Sequence, residues 1–489
     1  MMFRTYLPVL VLFLLFQCNG VSTAQNIASQ FYQSYPQYKE KSIKGQRFKH
    51  QDILPLIRQL KSPFEVIPAG KSIEGREINL VKYGNGPVKV LLWSQMHGDE
   101  PTATAAIMDI FNFLQAHDTF NPFREKWRDK LTLYFIPMLN PDGAEQFERR
   151  NALGIDLNRD AVRLQCPESK ILKRIRDEIN ADWGFNLHDQ NRYYSAGLDP
   201  NSATISFLAP AFNAQKDINF GRANAMKVIA VMNSALQQYI PNKVAKYNDT
   251  FEPRAFGDNI QKWGTNTILI ESGALKDDRD KQEIRRLNYM VLLTAFESIA
   301  SGDYERRGVD EYTKIPFNSS NAFNDLIIRE VQIPFNNEWY TVDIAYKNSE
   351  INTSRTSDGY YLSGKISDLG DLSVYFGHED FSGMGYRAIV GKTYPNPITS
   401  LSQLKSLNVQ ELWSSGYTSV NMPEAPYNVR YANLPIQVLN GKNKADNSIA
   451  PGKNPGLLIQ KNGQTRFVVV NGQLYDARGE KRLLGNWLN

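Results

Sequence analysis

The sequence predicts an α/β domain with helices on both faces of a sheet, followed by a mostly β region. Between about Gln46 and Ser301, apolar runs of strand length alternate with segments of helical periodicity. After Ser301, stretches rich in Val, Ile and Tyr are separated by Asn, Asp, Ser and Gly, as in EWYTVDIAY, GYYLSGKI and RFVVVNGQLYD. In order, Val88 to Trp93 (VKVLLW) is a strand and Thr102 to about Ala116 a helix. Leu131 to Ile136 (LTLYFI) is the next strand, and Glu168 to Asn180 is a helix with Ile171, Ile175 and Ile179 on one face. Trp183 to Leu187 is a third strand, Gly221 to Tyr239 a helix, Thr265 to Ile270 a buried strand, and Lys281 to Ala300 a closing helix. The second region is expected to carry only a little helix, near Leu401 to Ser414.

Composition narrows the class. Over 489 positions, 42% hydrophobic and 22% charged residues exclude a disordered chain, and the length exceeds one ordinary core. A net charge of +5 is small for this length and gives no ground for a nucleic-acid partner. At the start, Arg4 precedes the apolar run Tyr6 to Phe16, which is shorter than the roughly twenty residues that span a bilayer. Ser22-Thr23-Ala24 then offers small residues where a signal peptidase reads. Residues 1–24 are therefore expected to be a cleaved leader, with no membrane span and delivery to a periplasm or outside the cell. Acylation of Cys18 fits worse, because Gln17 rather than a small residue precedes it. With the leader removed, Cys166 is the sole cysteine, which leaves no internal disulfide and reads as a packed thiol.

Four predicted strands run into polar residues: Ser94-Gln95-Met96-His97-Gly98-Asp99-Glu100, Asn140-Pro141-Asp142-Gly143, His188-Asp189-Gln190 and Glu271-Ser272-Gly273. Sites in α/β sheets gather at the carboxyl ends of strands, so these four ends point to one cleft. His97 and Glu100, three apart across a turn, can chelate one ion, and His188 closes a set of three N/O ligands that suits catalytic Zn2+ with one position left open. The chain has five histidines. His50 and His117 read as solvated or helix-end residues, and His378 as structural.

Six motifs in order carry a resemblance. Gly70-Lys71-Ser72-Ile73-Glu74-Gly75-Arg76, His97-Gly98-Asp99-Glu100, Asn140-Pro141-Asp142-Gly143 and Gly154-Ile155-Asp156-Leu157-Asn158-Arg159 precede His188 and Glu271. From about 46 to 301 the chain resembles the zinc metallocarboxypeptidases of the carboxypeptidase A type. The resemblance implies a mixed central sheet and a catalytic domain over 25–305, and the change of texture after it leaves a β-rich accessory region over 306–489. It implies one Zn2+ held by His97, Glu100 and His188, with Glu271 as the general base acting on a metal-activated water. Arg149 aligns with the family arginine that stabilises the oxyanion, and its neighbour Arg150 is the alternative. Asn158 and Arg159 would take the substrate's terminal carboxylate, the Arg fork meeting both oxygens, unless Arg159 is spent on an ion pair with Asp156 or Asp160. Tyr247 is the counterpart of the tyrosine that closes over substrate.

Other features bear on specificity. Asp160 stands where better-known relatives often carry Asn, and Asp189 follows the third ligand; each is a candidate partner that orients a histidine or an arginine. Arg254, in the stretch Glu252 to Trp263, suits an acidic side chain or a second carboxylate unless it pairs with Asp258. The segment between leader and first motif is too short for a large inhibitory propeptide. The expected substrate is a peptide. The alternatives are a peptidoglycan peptide cleaved at a γ-glutamyl bond by the same site, and an inactive relative that binds peptides or glycans.

Overall fold

The structure is a computed structural model, and it describes residues 23–352, 360–424, 435–440 and 444–478. The apolar leader and Cys18 lie outside the described residues. Among those described, no helix is long and apolar enough to cross a membrane.

The first unit is built on strands β1 (Phe64–Lys71), β2 (Glu77–Tyr83), β3 (Val88–Ser94), β4 (Leu131–Ile136), β5 (Trp183–Asp189), β6 (Ser195–Ala196), β7 (Ile205–Leu208), β8 (Val244–Lys246) and β9 (Asn266–Ser272). All but β6 join one eight-stranded sheet in the order β1-β2-β4-β3-β5-β9-β7-β8. The centre is parallel: β3 pairs with β4 and β5, and β5 with β9. Antiparallel pairing of β1 with β2, β2 with β4 and β7 with β9 makes the sheet mixed. The central strands are apolar on both faces because helices cover both.

Helices α1 (Thr23–Tyr38), α2 (His50–Arg58), α3 (Thr102–Gln115), α4 (Asn121–Lys130), α5 (Pro141–Gln146), α6 (Pro167–Ile179), α7 (Phe220–Leu236), α8 (Phe256–Lys262) and α9 (Gln282–Ser301) complete the unit. One core joins Phe31, Ile107, Phe113, Trp127, Ile229 and Leu292 from α1, α3, α4, α7 and α9 to one face of the sheet. A second joins Leu172, Ile175, Phe256 and Ile260 from α6 and α8 to Leu91 and Trp93 on the other. The α/β expectation holds, and helices α3, α6, α7 and α9 fall where periodicity puts them. Helices α1 and α2 escape the sequence reading because each contains a proline, Pro36 and Pro55.

After α10 (Val309–Thr313) the chain turns to β structure. Its strands are β10 (Asn318–Ser319), β11 (Phe323–Phe335), β12 (Glu338–Asn352), β13 (Tyr360–Gly370), β14 (Phe376–Ser382), β15 (Arg387–Val390), β16 (Lys392–Thr393), β17 (Tyr417–Asn421), β18 (Gln437–Leu439), β19 (Leu457–Lys461), β20 (Gln464–Val470) and β21 (Gln473–Asp476). The main sheet runs β13-β12-β11-β15-β19-β20-β21 with β14 alongside β11, and β16-β17-β18 form a small parallel sheet. Two short helices, α11 (Leu401–Lys405) and α12 (Val409–Ser414), sit where a little helix was expected.

The motifs interlock at the carboxyl end of the central strands. Asp142 in α5 is 2% exposed and accepts from Ser72 Oγ at 2.7 Å, the Glu74 amide at 2.9 Å and Arg76 Nη1 at 2.7 Å. The Gly70 to Arg76 turn is thereby wrapped around a carboxylate that would otherwise be buried unpaired. Asn140 caps α5 by accepting from the Gly143 amide at 3.0 Å, and its Nδ2 donates to the Met96 carbonyl at 3.3 Å. Gly98 passes so close to α5 that a Cβ there would lie 2.0 Å from the Gly143 carbonyl carbon. Only glycine lets the two loops touch. Gly98→Ala is expected to destabilise the fold by about 1–3 kcal/mol and to lower the midpoint of denaturant unfolding; an unchanged midpoint would refute this packing argument.

Candidate metal centre and active site

The end of β3 delivers His97 and Glu100, and the end of neighbouring β5 delivers His188. All three are buried, and their ligand atoms lie within 4.8 Å of one another. Glu100 Oε1 is 2.8 Å from His97 Nδ1, Glu100 Oε2 is 2.6 Å from His188 Nδ1, and the two Nδ1 atoms are 3.2 Å apart. Burial opposes ionisation of Glu100, but the flanking imidazoles outweigh it and hold the carboxyl well below its ordinary range. Two imidazole nitrogens and a carboxylate facing one point are the donor set of a catalytic zinc site. The residues fit the metal.

His97 is oriented from behind by Asp156. Its Nε2 lies 3.0 Å from Asp156 Oδ1, a carboxylate oxygen that can only accept, so Nε2 carries a hydrogen and the ring is turned with Nδ1 toward the cluster. Burial would lower the His97 pKa, but Glu100 and Asp156 raise it to about 9. The same Asp156 accepts from the Asn158 amide at 2.9 Å, capping the short 3-10 turn Leu157–Arg159. Its other oxygen accepts from Arg149 Nε and Nη2 at 3.1 and 3.0 Å. Arg149 Nη1 then reaches His97 Nδ1 at 3.0 Å and Glu100 Oε1 at 3.2 Å. Arg150 points elsewhere, donating to the Gly154 carbonyl at 3.0 Å on the exposed side. Of the two arginines, Arg149 is the one beside the ligands. Asp156 did not stand out in the sequence as an orienting residue, although the Gly154 to Arg159 motif contained it.

The candidates for that orienting role, Asp160 and Asp189, do other work. Asp160 fastens the loop before α6, accepting from the Gln165 and Cys166 amides at 2.9 Å each. Asp189 accepts from Thr102 Oγ1 at 2.6 Å and from Lys281 Nζ at 3.0 Å, which ties β5 to α3 and to the start of α9. Among the described residues, neither hydrogen-bonds a histidine ring. Cys166 is buried, and burial pushes its thiol up to about 11, as an inert packed thiol requires. His378 is half-buried with Nε2 donating to the Arg192 carbonyl at 3.0 Å, a structural role.

Glu271 stands beside His188 because β5 and β9 pair in parallel with those two residues in register. Desolvation, and then the charge of Glu100, raise its carboxyl well above the ordinary value. Tyr247 follows β8, and its hydroxyl lies 3.1 Å from that of Tyr194. Burial and then the nearby Glu271 carboxylate push its phenol up.

Asn158 Oδ1 accepts from the Phe256 amide at 2.9 Å, which fastens the turn to α8. The ion-pair partners considered for the two specificity arginines are replaced by another. Arg159 Nε lies 3.5 Å from Glu252 Oε2, and Arg254 Nε donates to Glu252 Oε1 at 3.3 Å. Asp258 accepts instead from the Glu252 amide at 3.0 Å. Glu252 lay inside the stretch marked for specificity, but nothing local distinguishes it from a solvated acid.

Residues 54–241 match the family model described as zinc carboxypeptidase. Carboxypeptidase SOL1 of Arabidopsis thaliana is 25% identical over 174 residues, 29% of this chain and 35% of that protein. Carboxypeptidase 2 of Trichophyton tonsurans is 24% identical over 220 residues, 44% of this chain and 35% of that protein. This chain therefore spans about a third of the length of these curated relatives. Among solved structures, a metallo-carboxypeptidase from Burkholderia cenocepacia is 20% identical with a TM-score of 0.40, covering 52% of this chain and 69% of that one. The family match ends before Tyr247 and Glu271, whose place beside the cluster rests on the strand register and contacts above. Over residues 54–241 the chain is thus similar to the zinc carboxypeptidase family.

Proposed function

We propose that this protein is a zinc-dependent metallocarboxypeptidase that removes residues from the free carboxyl end of peptides. The observation that carries the reading is the convergence of His97, Glu100 and His188 at the ends of two adjacent parallel strands, with Glu271 in register next to His188. Bound zinc would supply Lewis acidity, polarising a carbonyl and making a water acidic at neutral pH. Glu271, with its proton affinity raised by burial, takes a proton from water and returns it to the leaving amine. Arg149, steadied by Asp156, directs a fixed cation at charge developing on the carbonyl oxygen. Asn158 and Arg159 receive the terminal carboxylate, for which Arg159 gives up its long contact with Glu252. Tyr247 covers the bound residue.

Arg254 is exposed and paired with Glu252, so it lends no support to an acidic or γ-glutamyl substrate. The apolar leader argues for export, and peptides outside the cytoplasm are the substrates this reading names.

Three substitutions test the assignment. His188→Ala is expected to drop zinc content, read by atomic emission after dialysis, well below one per chain; full occupancy would remove it from the ligand set. Glu271→Gln should keep its zinc and lose about a hundredfold to ten-thousandfold in kcat/KM on an unblocked peptide, and retained turnover would unseat it as the base. Arg159→Ala should cost about tenfold to a hundredfold on peptides with a free terminus. An equal loss on the same peptides amidated at the terminus would count against carboxylate recognition.

A further inference from the structure

The segment that leaves the metal site, residues 190–197, is held along nearly its whole length by the accessory region. Asn318 Nδ2 donates to Gln190 Oε1 at 3.1 Å. Arg192 Nη2 lies 3.1 Å from Asp325 Oδ1, and the Arg192 carbonyl accepts from His378 Nε2 at 3.0 Å. The Tyr193 hydroxyl donates to Asp325 Oδ2 at 2.5 Å, and the Tyr193 carbonyl accepts from the Phe323 amide at 3.2 Å. Ser195 and Ala196, forming β6, pair with Ser319 and Asn318 of β10, and the Gly197 amide donates to the Phe317 carbonyl at 2.9 Å.

Asp325 is the centre of this grip. It is 7% exposed and also accepts from the Asn348 amide at 2.7 Å. A buried carboxylate with this many donors is satisfied only in one geometry, because each donor is charged or directional. Burial opposes its ionisation, yet Arg192 and Tyr193 hold it below the ordinary carboxylate range.

Between the gripped residues, Tyr194 turns the other way. Its ring centroid is 5.8 Å from that of Tyr247, and the two hydroxyls are 3.1 Å apart. The far side of that pair is held by the same part of the chain. The Lys246 amide donates to the Pro316 carbonyl at 2.7 Å, and Lys246 Nζ donates to the Thr313 carbonyl at 2.5 Å. Residues 313–325 thus fix the backbone next to Tyr194 and next to Tyr247 at once.

We propose that the accessory region is part of the frame of the active site, with Asp325 and Tyr193 as positioning residues that hold the Tyr194–Tyr247 pair beside Glu271. This rests on the carboxypeptidase reading for its kinetic consequence, though not for the placement itself. On this view the region is not an appendage that binds ligand independently. Its removal or loosening reaches the tyrosine over the substrate without touching the metal ligands.

Two measurements on the zinc-loaded full chain test the proposal. The first needs no turnover: nitration of Tyr247 by tetranitromethane, followed by peptide mass. Asp325→Asn and Tyr193→Phe should each speed it about tenfold with zinc content unchanged, and an unchanged Tyr247 rate would overturn the proposal. Should Asp325→Asn fail to fold, Tyr193→Phe, which deletes one hydroxyl, decides alone. The second is a double-mutant cycle on kcat/KM of an unblocked peptide. Asp325→Asn should cost about tenfold in the parent and nothing further in Tyr247→Phe, since the two act as one unit. Equal losses in both backgrounds would reduce Asp325 to a merely structural role. A parent without peptidase activity would sink the proposed function while leaving the nitration result to judge the positioning.

Discussion

A carboxylate buried between two imidazoles organises this molecule. Taking the Glu100 charge out of water costs several kcal/mol unless partners replace the lost hydration. His97 and His188 replace it from 2.8 and 2.6 Å, and they can do so only because β3 and β5 are adjacent and parallel. The sheet order therefore sets the chemistry. With β9 next to β5 in parallel register, Glu271 arrives at the same edge as His188 without any further device. The fourth strand end, after β4, contributes Asn140, which braces the loop that carries His97, and Asp142, which holds the Gly70 to Arg76 turn.

Much of what marks the sequence is scaffold for these few groups. Asp142 is enclosed by Ser72, Glu74 and Arg76; Asn140 holds α5 to the loop before His97; Gly98 permits the approach of the two loops. Asp156 belongs to both classes, since it sets the His97 tautomer with one oxygen and carries Arg149 with the other. Its loss would misplace an imidazole and a cation together, so its contribution is a geometric one spread over several partners.

The accessory region meets the first unit through ion pairs and side-chain hydrogen bonds as well as through backbone pairing. Glu350 lies 2.8 Å from Arg47 and 3.6 Å from Arg279, and Asp325 bridges Arg192 and Tyr193. Apolar surfaces tolerate sliding, whereas charge-assisted hydrogen bonds with fixed directions do not. An interface of this kind suits a task in which relative position matters more than bulk adhesion.

Much of the fold was legible in the sequence, because strand and helix patterns belong to consecutive residues. VKVLLW and LTLYFI read as buried strands and are β3 and β4; the four-residue spacing of Ile171, Ile175 and Ile179 reads as a helix and is α6. The cluster of His97, Glu100 and His188 was legible too, since His97 and Glu100 sit three apart and His188 ends a strand. Helices carrying Pro36 and Pro55 and strands as short as Ile205–Leu208 lack that periodic signal, and only packing defines them. What the tertiary structure alone decided is the pairing of charges: Asp156 rather than Asp160 or Asp189 behind His97, Glu252 between Arg159 and Arg254, Asp325 beneath Arg192 and Tyr193. A charged side chain looks the same in sequence whatever it faces. Its partner is chosen by which strands lie side by side and which loops they bring together, and that is a property of the folded chain rather than of any stretch of it.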